Sequence, residues 1–276
     1  MKIAIVGHGF VGKAVDYAFT HSRVEKVIID PKYGNSVEEL NDCDFAFVCV
    51  PTPMGVDGEI DSSIVETVVE YLRSNTEAVI VLKSTVTPEV IHRMEQHAPE
   101  EEISKLVYNP EFLTEKNAQE QFVNPPFHVL GGVLGWEVEE LYEDFSLCNP
   151  CPVYNMTAKE ASFVKYGINC FLATKVTFFN QLFDACEEEG DVNFNVISRA
   201  IGADPRIGTG HTKVPGYDGK RGYGGACFPK DTSAWVDYYP ESTLLEEVIH
   251  ANNYYRSQYE LDDREKEQHI RYGDDA

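Results

Sequence analysis

Basic residues are scarce in this chain, and long apolar runs are absent. Of its 276 residues, 23 are Lys or Arg and 46 are Asp or Glu, which gives a net charge of −23. A surface this acidic repels a phosphate backbone and disfavours nucleic-acid binding. No stretch approaches the roughly 18 apolar residues of a membrane span. The N-terminal MKIAIVGHGF lacks the apolar core and cleavage site of a secretory leader, so we expect a cytoplasmic protein.

Cysteines are few, odd in number and scattered. This distribution is typical of reduced thiols in the cytosol and does not indicate a disulfide framework. Cys148 and Cys151 have CxxC spacing, but no second such pair lies near them. Zinc or redox chemistry at this pair stays open as an alternative, and we predict no metal site.

The first half of the chain alternates short apolar runs with helical patterns. Strands are predicted at 2–6, 26–30, 45–50, 78–83 and 106–108, with 127–132 and 151–154 as candidates for further strands. Such alternation predicts βαβ units. We therefore expect an α/β fold, with an N-terminal Rossmann-like, doubly wound parallel sheet.

The second half reads as all-helical. A long helix is predicted over 158–189, and more helical segments follow at 192–201, 230–238 and 242–270. A Gly/Pro-rich loop, 202–229, interrupts them. We place the domain boundary near 155, which gives domains 1–155 and 156–276. The length of the first helix indicates that it spans between domains or packs against a second subunit.

A glycine motif, GHGFVG, follows the first predicted strand and opens a helix. Gly7 permits the tight turn, Gly9 lets the backbone approach a pyrophosphate, and Gly12 lets helix and strand pack closely. The helix N-terminus, with Phe10 and Val11 in its first turn, favours an anion. Asp30 ends the next strand and would accept hydrogen bonds from ribose hydroxyls, which favours NAD over NADP. A glycine-rich turn with a surface Asp is the alternative.

Two further segments follow predicted strands. Pro51-Thr52-Pro53 and Ser84-Thr85 lie where the carboxyl ends of parallel strands meet, the edge at which open α/β sheets bind ligands. We expect the Thr52 and Thr85 hydroxyls to reach a cofactor. A turn or an N-cap is an equal alternative for each segment.

The segment GYGGACFPKD, residues 222–231, carries a candidate nucleophile. Pro229 suits a first helical position, which would put Cys227 beside a helix N-terminus. That position, with Lys230 nearby, lowers a thiol pKa. Asp231 lies four residues on, on the same helix face. A buried cysteine in a tight loop is the alternative.

Three other groups are candidates for ligand contact. Lys165 and Asn169 share one face of the long helix, where a desolvated Lys is a candidate acid/base or oxyanion stabiliser; a surface Lys is the alternative. Glu111 and Glu115 would touch a ligand, position water or cap a helix. A basic island could hold a diphosphate or be a solvated loop; it consists of Arg206, Lys213, Lys220, Arg221 and Lys230.

Taken in order, these motifs resemble the UDP-glucose/GDP-mannose (nucleotide-sugar) dehydrogenase family. The matching strings are GHGFVG, VPTP, KSTV, NPEFLTE, KEASFVKYGINCFLATKVTFFNQL, ADPRIG, GYGGACFPKD and LLEEVIHANN. The resemblance implies NAD-dependent oxidation of a sugar C6 alcohol to a carboxylic acid, with UDP-glucose to UDP-glucuronate as the first reaction to expect. It also implies two NAD per turnover and a homodimer through the long helix.

The resemblance also assigns roles. Cys227 matches the nucleophile, Lys165 and Asn169 the pair that stabilises negative charge at C6, and Asp231 the acid that works with water. Glu115 matches an acid at sugar and nicotinamide, in a segment that begins Glu111-Phe112-Leu113. Cofactor contacts match Thr52, Thr85, Glu115 and Lys230, and the substrate loop matches Gly216, Tyr217, Lys220 and Gly224.

The family normally continues into a second Rossmann-like domain that helps hold the nucleotide, whereas this sequence stops after the helix near 270. A separate chain that supplies this domain is therefore a further partner to look for. Two other functions stay open. One is a two-electron 3-hydroxyacid-type dehydrogenase, which needs no Cys. The other is a catalytically impaired protein that binds NAD or a nucleotide sugar.

Overall fold

A computed structural model describes residues 1–40, 42–96 and 104–273. The chain forms two compact units. Unit 1 comprises Met1–Thr52 and Asp61–Lys165, and unit 2 comprises Pro53–Ile60 and the chain from Tyr166 onward. The domain boundary near 155 stays a prediction.

Unit 1 is built on a seven-stranded sheet. Its strands are β1 (Lys2–Val6), β2 (Glu25–Ile29), β3 (Phe45–Val48), β4 (Val79–Leu82), β5 (Leu106–Tyr108), β6 (His128–Gly131) and β7 (Val153–Met156). Their order is β2-β1-β3-β4-β5-β6-β7. Strands β1 to β5 are parallel, β6 is antiparallel to β5, and β7 is parallel to β6. The predicted Rossmann-like fold class is confirmed, with an antiparallel step at β6.

In the described part of unit 1, five α-helices precede the long helix. They are α1 (Phe10–Ala18), α2 (Ser63–Asn75), α3 (Pro88–Gln96), α4 (Ala118–Val123) and α5 (Gly135–Phe145). Strands β3 and β4 are buried at every position, because helices cover both faces of a parallel sheet. Phe19, Phe47 and Tyr142 join strand and helix side chains in one apolar cluster. The sheet therefore has a core of its own, with polar side chains left to the strand ends.

A long helix, α6 (Ala158–Glu189), has the predicted bounds, and the unit boundary falls within it. It leads to α7 (Phe194–Gly202), α8 (Phe228–Tyr238), α9 (Thr243–Arg256) and α10 (Asp263–Glu267). The prediction of helix throughout 242–270 is wrong, because Asp262 caps a new helix after a break. Within the described ranges, no helix combines the length and apolar character that crossing a membrane requires.

Candidate functional site

The glycine turn of unit 1 is fixed by two close approaches of backbone to backbone. Gly7 has φ +89°, and a Cβ there would lie 2.6 Å from the Cys49 carbonyl oxygen. A Cβ at Gly12 would overlap the carbonyl oxygen of Gly7. Both positions therefore require glycine for the fold itself.

Gly9 differs from the other two glycines of the motif. It is exposed, and a Cβ there would meet no atom within 4 Å. It is the N-cap of α1, and no side chain caps the helix. The first-turn N–H groups, which include those of Phe10 and Val11, thus lie at an open helix N-terminus that suits an anionic group.

Asp30 lies beside this turn, and its contact with a ribose stays a prediction. Its carboxylate accepts hydrogen bonds from the backbone N–H groups of His8 (2.6 Å) and Lys32 (3.0 Å), and the Lys32 ammonium lies 3.3 Å away. Burial raises the pKa of this carboxyl, but the hydrogen bonds outweigh it and the pKa is lowered. Asp30 is therefore an ionised acceptor. Sequence reasoning assigned no role to His8 or Lys32, although Lys32 stands only two residues after the acid.

The Ser84 hydroxyl, just after β4, serves the fold. Ser84 Oγ donates to the Val50 carbonyl at 2.7 Å, which ties the end of β4 to the end of β3. Thr52 is buried, and Thr85 is partly exposed. Contact of these two threonines with a cofactor stays a prediction.

Lys165 is buried in unit 1 against the loop after β5. Its Nζ donates to the Glu111 carbonyl oxygen at 2.5 Å and lies 3.5 Å from Glu111 Oε1. It also lies 5.4 Å from the centre of the Phe112 ring, and Glu111 Oε2 accepts from Leu113 N–H at 2.7 Å. Only 3% of the Lys165 side chain is exposed, so a surface lysine is excluded. Glu115, by contrast, is exposed in the next turn of chain.

A second buried lysine, which sequence reasoning missed, supports the start of that loop. Lys83 Nζ donates to Asn109 Oδ1 at 2.9 Å, and Tyr142 Oη donates to the same oxygen at 2.7 Å. Burial lowers the pKa of Lys83 to about 8. The only signal in the sequence was its place at the end of an apolar strand. Because Asn109 stands two residues before Glu111, Lys83 helps to fix where Glu111 meets Lys165.

In unit 2, Cys227 is the N-cap of α8, so its predicted place beside a helix N-terminus is confirmed, although Pro229 is the second helical residue and not the first. Its carbonyl accepts the Asp231 N–H at 2.8 Å, the first bond of the helix. Cys227 is partly exposed, whereas burial raises the pKa of Cys49 and of Cys170 to about 12. The helix N-terminus at Cys227 and the raised thiol pKa values of Cys49 and Cys170 thus favour Cys227 as the reactive thiol of the three.

Asp231 is fully buried in the first turn of α8 and has two partners. Asn169 Nδ2 donates to it at 2.6 Å, and Lys230 Nζ at 2.5 Å. Asn169 and Lys230 are themselves 6% and 4% exposed. A buried charge needs such pairing, and the Lys230 ammonium is largely offset by this carboxylate. The structure therefore brings Asn169, Lys230 and Asp231 together one turn after Cys227.

The glycine loop before Cys227 is occupied by the chain itself. Gly222 has φ +72°, and a Cβ there would lie 2.5 Å from Asn252 Oδ1. A Cβ at Gly224 would overlap the guanidinium of Arg256. These two glycines accommodate α9, and contact of Gly224 with a substrate stays a prediction.

The basic island is paired within the chain. Arg206 contacts Asp204 at 2.5 Å, Arg221 contacts Asp184 at 2.6 Å, and Lys220 lies 3.8 Å from Glu265. Gly216 N–H closes a turn on the Lys220 carbonyl, and Tyr217 between them is 94% exposed, with Lys213 4.9 Å from its ring. The positive charge of the basic island is thus largely offset by carboxylates, which weakens the argument that its charge alone indicates a diphosphate site.

Comparison with known proteins gives matches in both halves of the chain. Residues 32–146 match the NAD binding domain of the UDP-glucose/GDP-mannose dehydrogenase family, and residues 159–254 match the central domain of that family. The glycine motif at 7–12 precedes the first matched range.

Individual relatives agree with the family match. The chain is 35% identical to UDP-glucose 6-dehydrogenase of Rickettsia bellii over 78% of its own length and 50% of that protein. It is 30% identical to the putative UDP-glucose 6-dehydrogenase YtcA of Bacillus subtilis, and that match covers 92% of this chain and 68% of YtcA. It spans about half the length of the first curated relatives it matches.

Among solved structures, a UDP-glucose dehydrogenase from Pyrobaculum islandicum superposes with a TM-score of 0.75 at 26% identity. The match covers 92% of this chain and 68% of that one. Sequence and fold agree. The chain belongs to the UDP-glucose/GDP-mannose dehydrogenase family, whose NAD-binding and central domains it contains.

Proposed function

We propose that this protein is an NAD-dependent nucleotide-sugar 6-dehydrogenase that oxidises a C6 alcohol to a carboxylate, with UDP-glucose as the first substrate to test. The observation that carries the proposal is Cys227 at the N-terminus of α8, with the buried Asn169, Lys230 and Asp231 one turn away. A two-electron dehydrogenase needs no such thiol.

The cofactor would lie at the glycine turn. The open space over Gly9, the uncapped N-terminus of α1 and the ionised Asp30 fit a pyrophosphate and a ribose. When bound, NAD would accept a hydride from the substrate carbon in each of the two oxidations. Asp30 would accept hydrogen bonds from the adenosine ribose hydroxyls.

The chain's own residues would then carry the covalent steps. The Cys227 sulfur adds to the C6 aldehyde and forms a thiohemiacetal, whose C–H is lost as the second hydride while the O–H gives up its proton. The resulting thioester is hydrolysed by water, which releases the carboxylate and returns the thiol. Asp231 would position that water, and Lys165 and Asn169, one helical turn apart on α6, would stabilise negative charge at the C6 oxygen.

The test is NADH formation by the purified chain over a panel of nucleotide sugars. We expect two NADH per sugar from the wild type, and no carboxylate product from Cys227→Ala. Cys151→Ala is the matched control, since Cys151 is also partly exposed but lies in unit 1. One NADH per hydroxyacid would establish the 3-hydroxyacid-type reaction instead. Nucleotide-sugar binding without NADH would establish a binding protein.

The proposed homodimer would form through α6. Phe171 and Phe178, seven residues apart and therefore on one side of the helix, are 67% and 56% exposed. An apolar stripe of this kind suits a second copy of the same helix. Light scattering should give twice the mass of the 31.1 kDa chain. The Phe171→Asp/Phe178→Asp variant should be monomeric, and a monomeric wild type would exclude the dimer.

A further inference from the structure

The chain after α9 folds back onto the glycine loop that precedes Cys227. A capping box at Asp262 and Glu265 starts α10, and Glu265 has no exposed surface. No motif of the family resemblance includes this segment. Its only sequence signal is the Asp-x-x-Glu spacing, which marks a helix start.

One oxygen of Glu265 joins three parts of unit 2. Oε1 accepts the Gly225 N–H at 3.1 Å, Arg256 Nη2 at 2.6 Å and the Tyr272 hydroxyl at 2.8 Å. Burial raises the pKa of Glu265, but the hydrogen bonds and the Arg256 charge outweigh it, so the pKa is lowered. The carboxylate is therefore ionised and links the loop, the end of α9 and the tail.

Arg256 completes this connection. Its guanidinium is 1% exposed, contacts Asp218 Oδ2 at 2.6 Å and lies against Gly224. A Cβ at Gly224 would also lie 2.6 Å from Glu265 Oε1. The path of the loop at 224 and 225 is thus set by this ion pair.

We propose that Glu265 is a positioning residue for Cys227. By holding the Gly225 N–H, it fixes the backbone two residues before Cys227 and keeps the thiol at the N-terminus of α8. The consequence of this positioning for catalysis rests on the proposed function. The effect of Glu265 on the thiol is independent of that function, because a cysteine at a helix N-terminus forms its thiolate more readily whether or not a substrate is bound.

The experiment measures alkylation of Cys227 by iodoacetamide against pH, with the modified peptide quantified by mass spectrometry. In Glu265→Gln we expect the rate at neutral pH to fall by about fivefold or more, and its pH midpoint to rise, because the thiol leaves the helix N-terminus. The matched control is Glu267→Gln on the same helix, where Glu267 pairs with Arg264 at the surface. This control should retain the wild-type rate and midpoint.

A second variant keeps the test valid if Glu265→Gln does not fold. Arg256→Met/Glu265→Met removes both buried charges together, which leaves no unpaired partner of the pair. It should show the same fall in rate and rise in midpoint as Glu265→Gln. If both variants fold, keep the wild-type pH midpoint and are alkylated at a rate within about twofold of the wild-type rate, Glu265 does not position the thiol. NADH formation is assayed separately, so an inactive wild type would overturn the proposed function and leave this result standing.

Discussion

Unit 1 and unit 2 bury different kinds of side chain. In unit 1 the interior is an apolar cluster, with Phe19 and Phe47 rings 5.2 Å apart, and buried charges such as Lys83 and Glu111 lie just beyond strand ends. In unit 2 the described apolar clusters are small, around Phe179 and around Tyr223, and charges such as Arg256, Glu265 and Asp231 are fully buried. A layered sheet creates its own core, whereas helices joined by a long glycine-rich loop depend on polar pairs for their geometry.

The two tryptophans allow this contrast to be tested unit by unit. Trp136 lies on α5 in unit 1, and Trp235 lies on α8 in unit 2. Replacing one with phenylalanine leaves the other as a fluorescence reporter of its own unit.

The largest effect is expected at the buried ion pair of unit 2. Arg256→Met leaves Glu265 buried without its nearer cation, with Lys220 still 3.8 Å away, and should lower the free energy of unfolding by about 3–5 kcal/mol. Urea unfolding, followed by Trp235 fluorescence, measures it. The double variant Arg256→Met/Glu265→Met should recover most of the loss. An unchanged midpoint in Arg256→Met would contradict the claim that unit 2 depends on this pair.

A pH effect is expected in unit 1, where His128 stacks on Tyr142 with ring centres 4.5 Å apart. Burial, aided by the Lys83 charge, lowers the pKa of His128 from 6.5 to about 4. Between these values the unfolded chain binds more protons, so stability is complete above pH 6.5 and falls as pH drops toward 4, by up to about 3 kcal/mol.

His128→Phe keeps the stacked ring but cannot titrate. The fall in stability of unit 1 between pH 6.5 and 4, followed by Trp136 fluorescence, should become smaller in this variant. His250→Phe, at an exposed position of unit 2, is the control. An identical pH dependence in His128→Phe and the wild type would show that this ring does not carry the effect.

Two glycines of the glycine turn are expected to have different roles, Gly12 in the stability of unit 1 and Gly9 in NAD binding. Gly12→Ala should destabilise unit 1 by about 1–3 kcal/mol, because its Cβ overlaps backbone. Gly9→Ala should leave the stability of unit 1 near that of the wild type yet weaken NAD binding, measured by calorimetry, by about tenfold or more, since the methyl group would fill the place proposed for the pyrophosphate. Equal NAD affinity in Gly9→Ala and the wild type would argue against the cofactor lying there.

The smallest effect is expected at the N-cap of α7. Asn193 accepts hydrogen bonds from the backbone N–H groups of Asn195 and Val196. Asn193→Ala should lower the stability of unit 2 by about 1 kcal/mol in urea unfolding. Asn195→Ala, which removes no cap, should have a smaller effect. A loss above that of Arg256→Met would reverse the ranking of polar contacts in unit 2.

The sequence by itself determined the sheet, the glycine turn with Asp30, the long helix and the place of Cys227 at a helix N-terminus. These features depend on local patterns: apolar runs of strand length, glycine spacing, and proline at a helix start. It also predicted that Lys165 and Asn169 lie on the same side of the long helix, because residues four apart share a helix face.

Only the tertiary structure decided which partners these side chains have. Glu111 meets Lys165 from 54 positions away, Asp231 meets Asn169 from 62, and α9 fills the space over Gly222 and Gly224. The pairing of Arg221 with Asp184 and the return of Glu265 to Gly225 are likewise contacts between distant segments. Periodicity and spacing describe a residue's neighbours along the chain, whereas these contacts are set by how the elements pack.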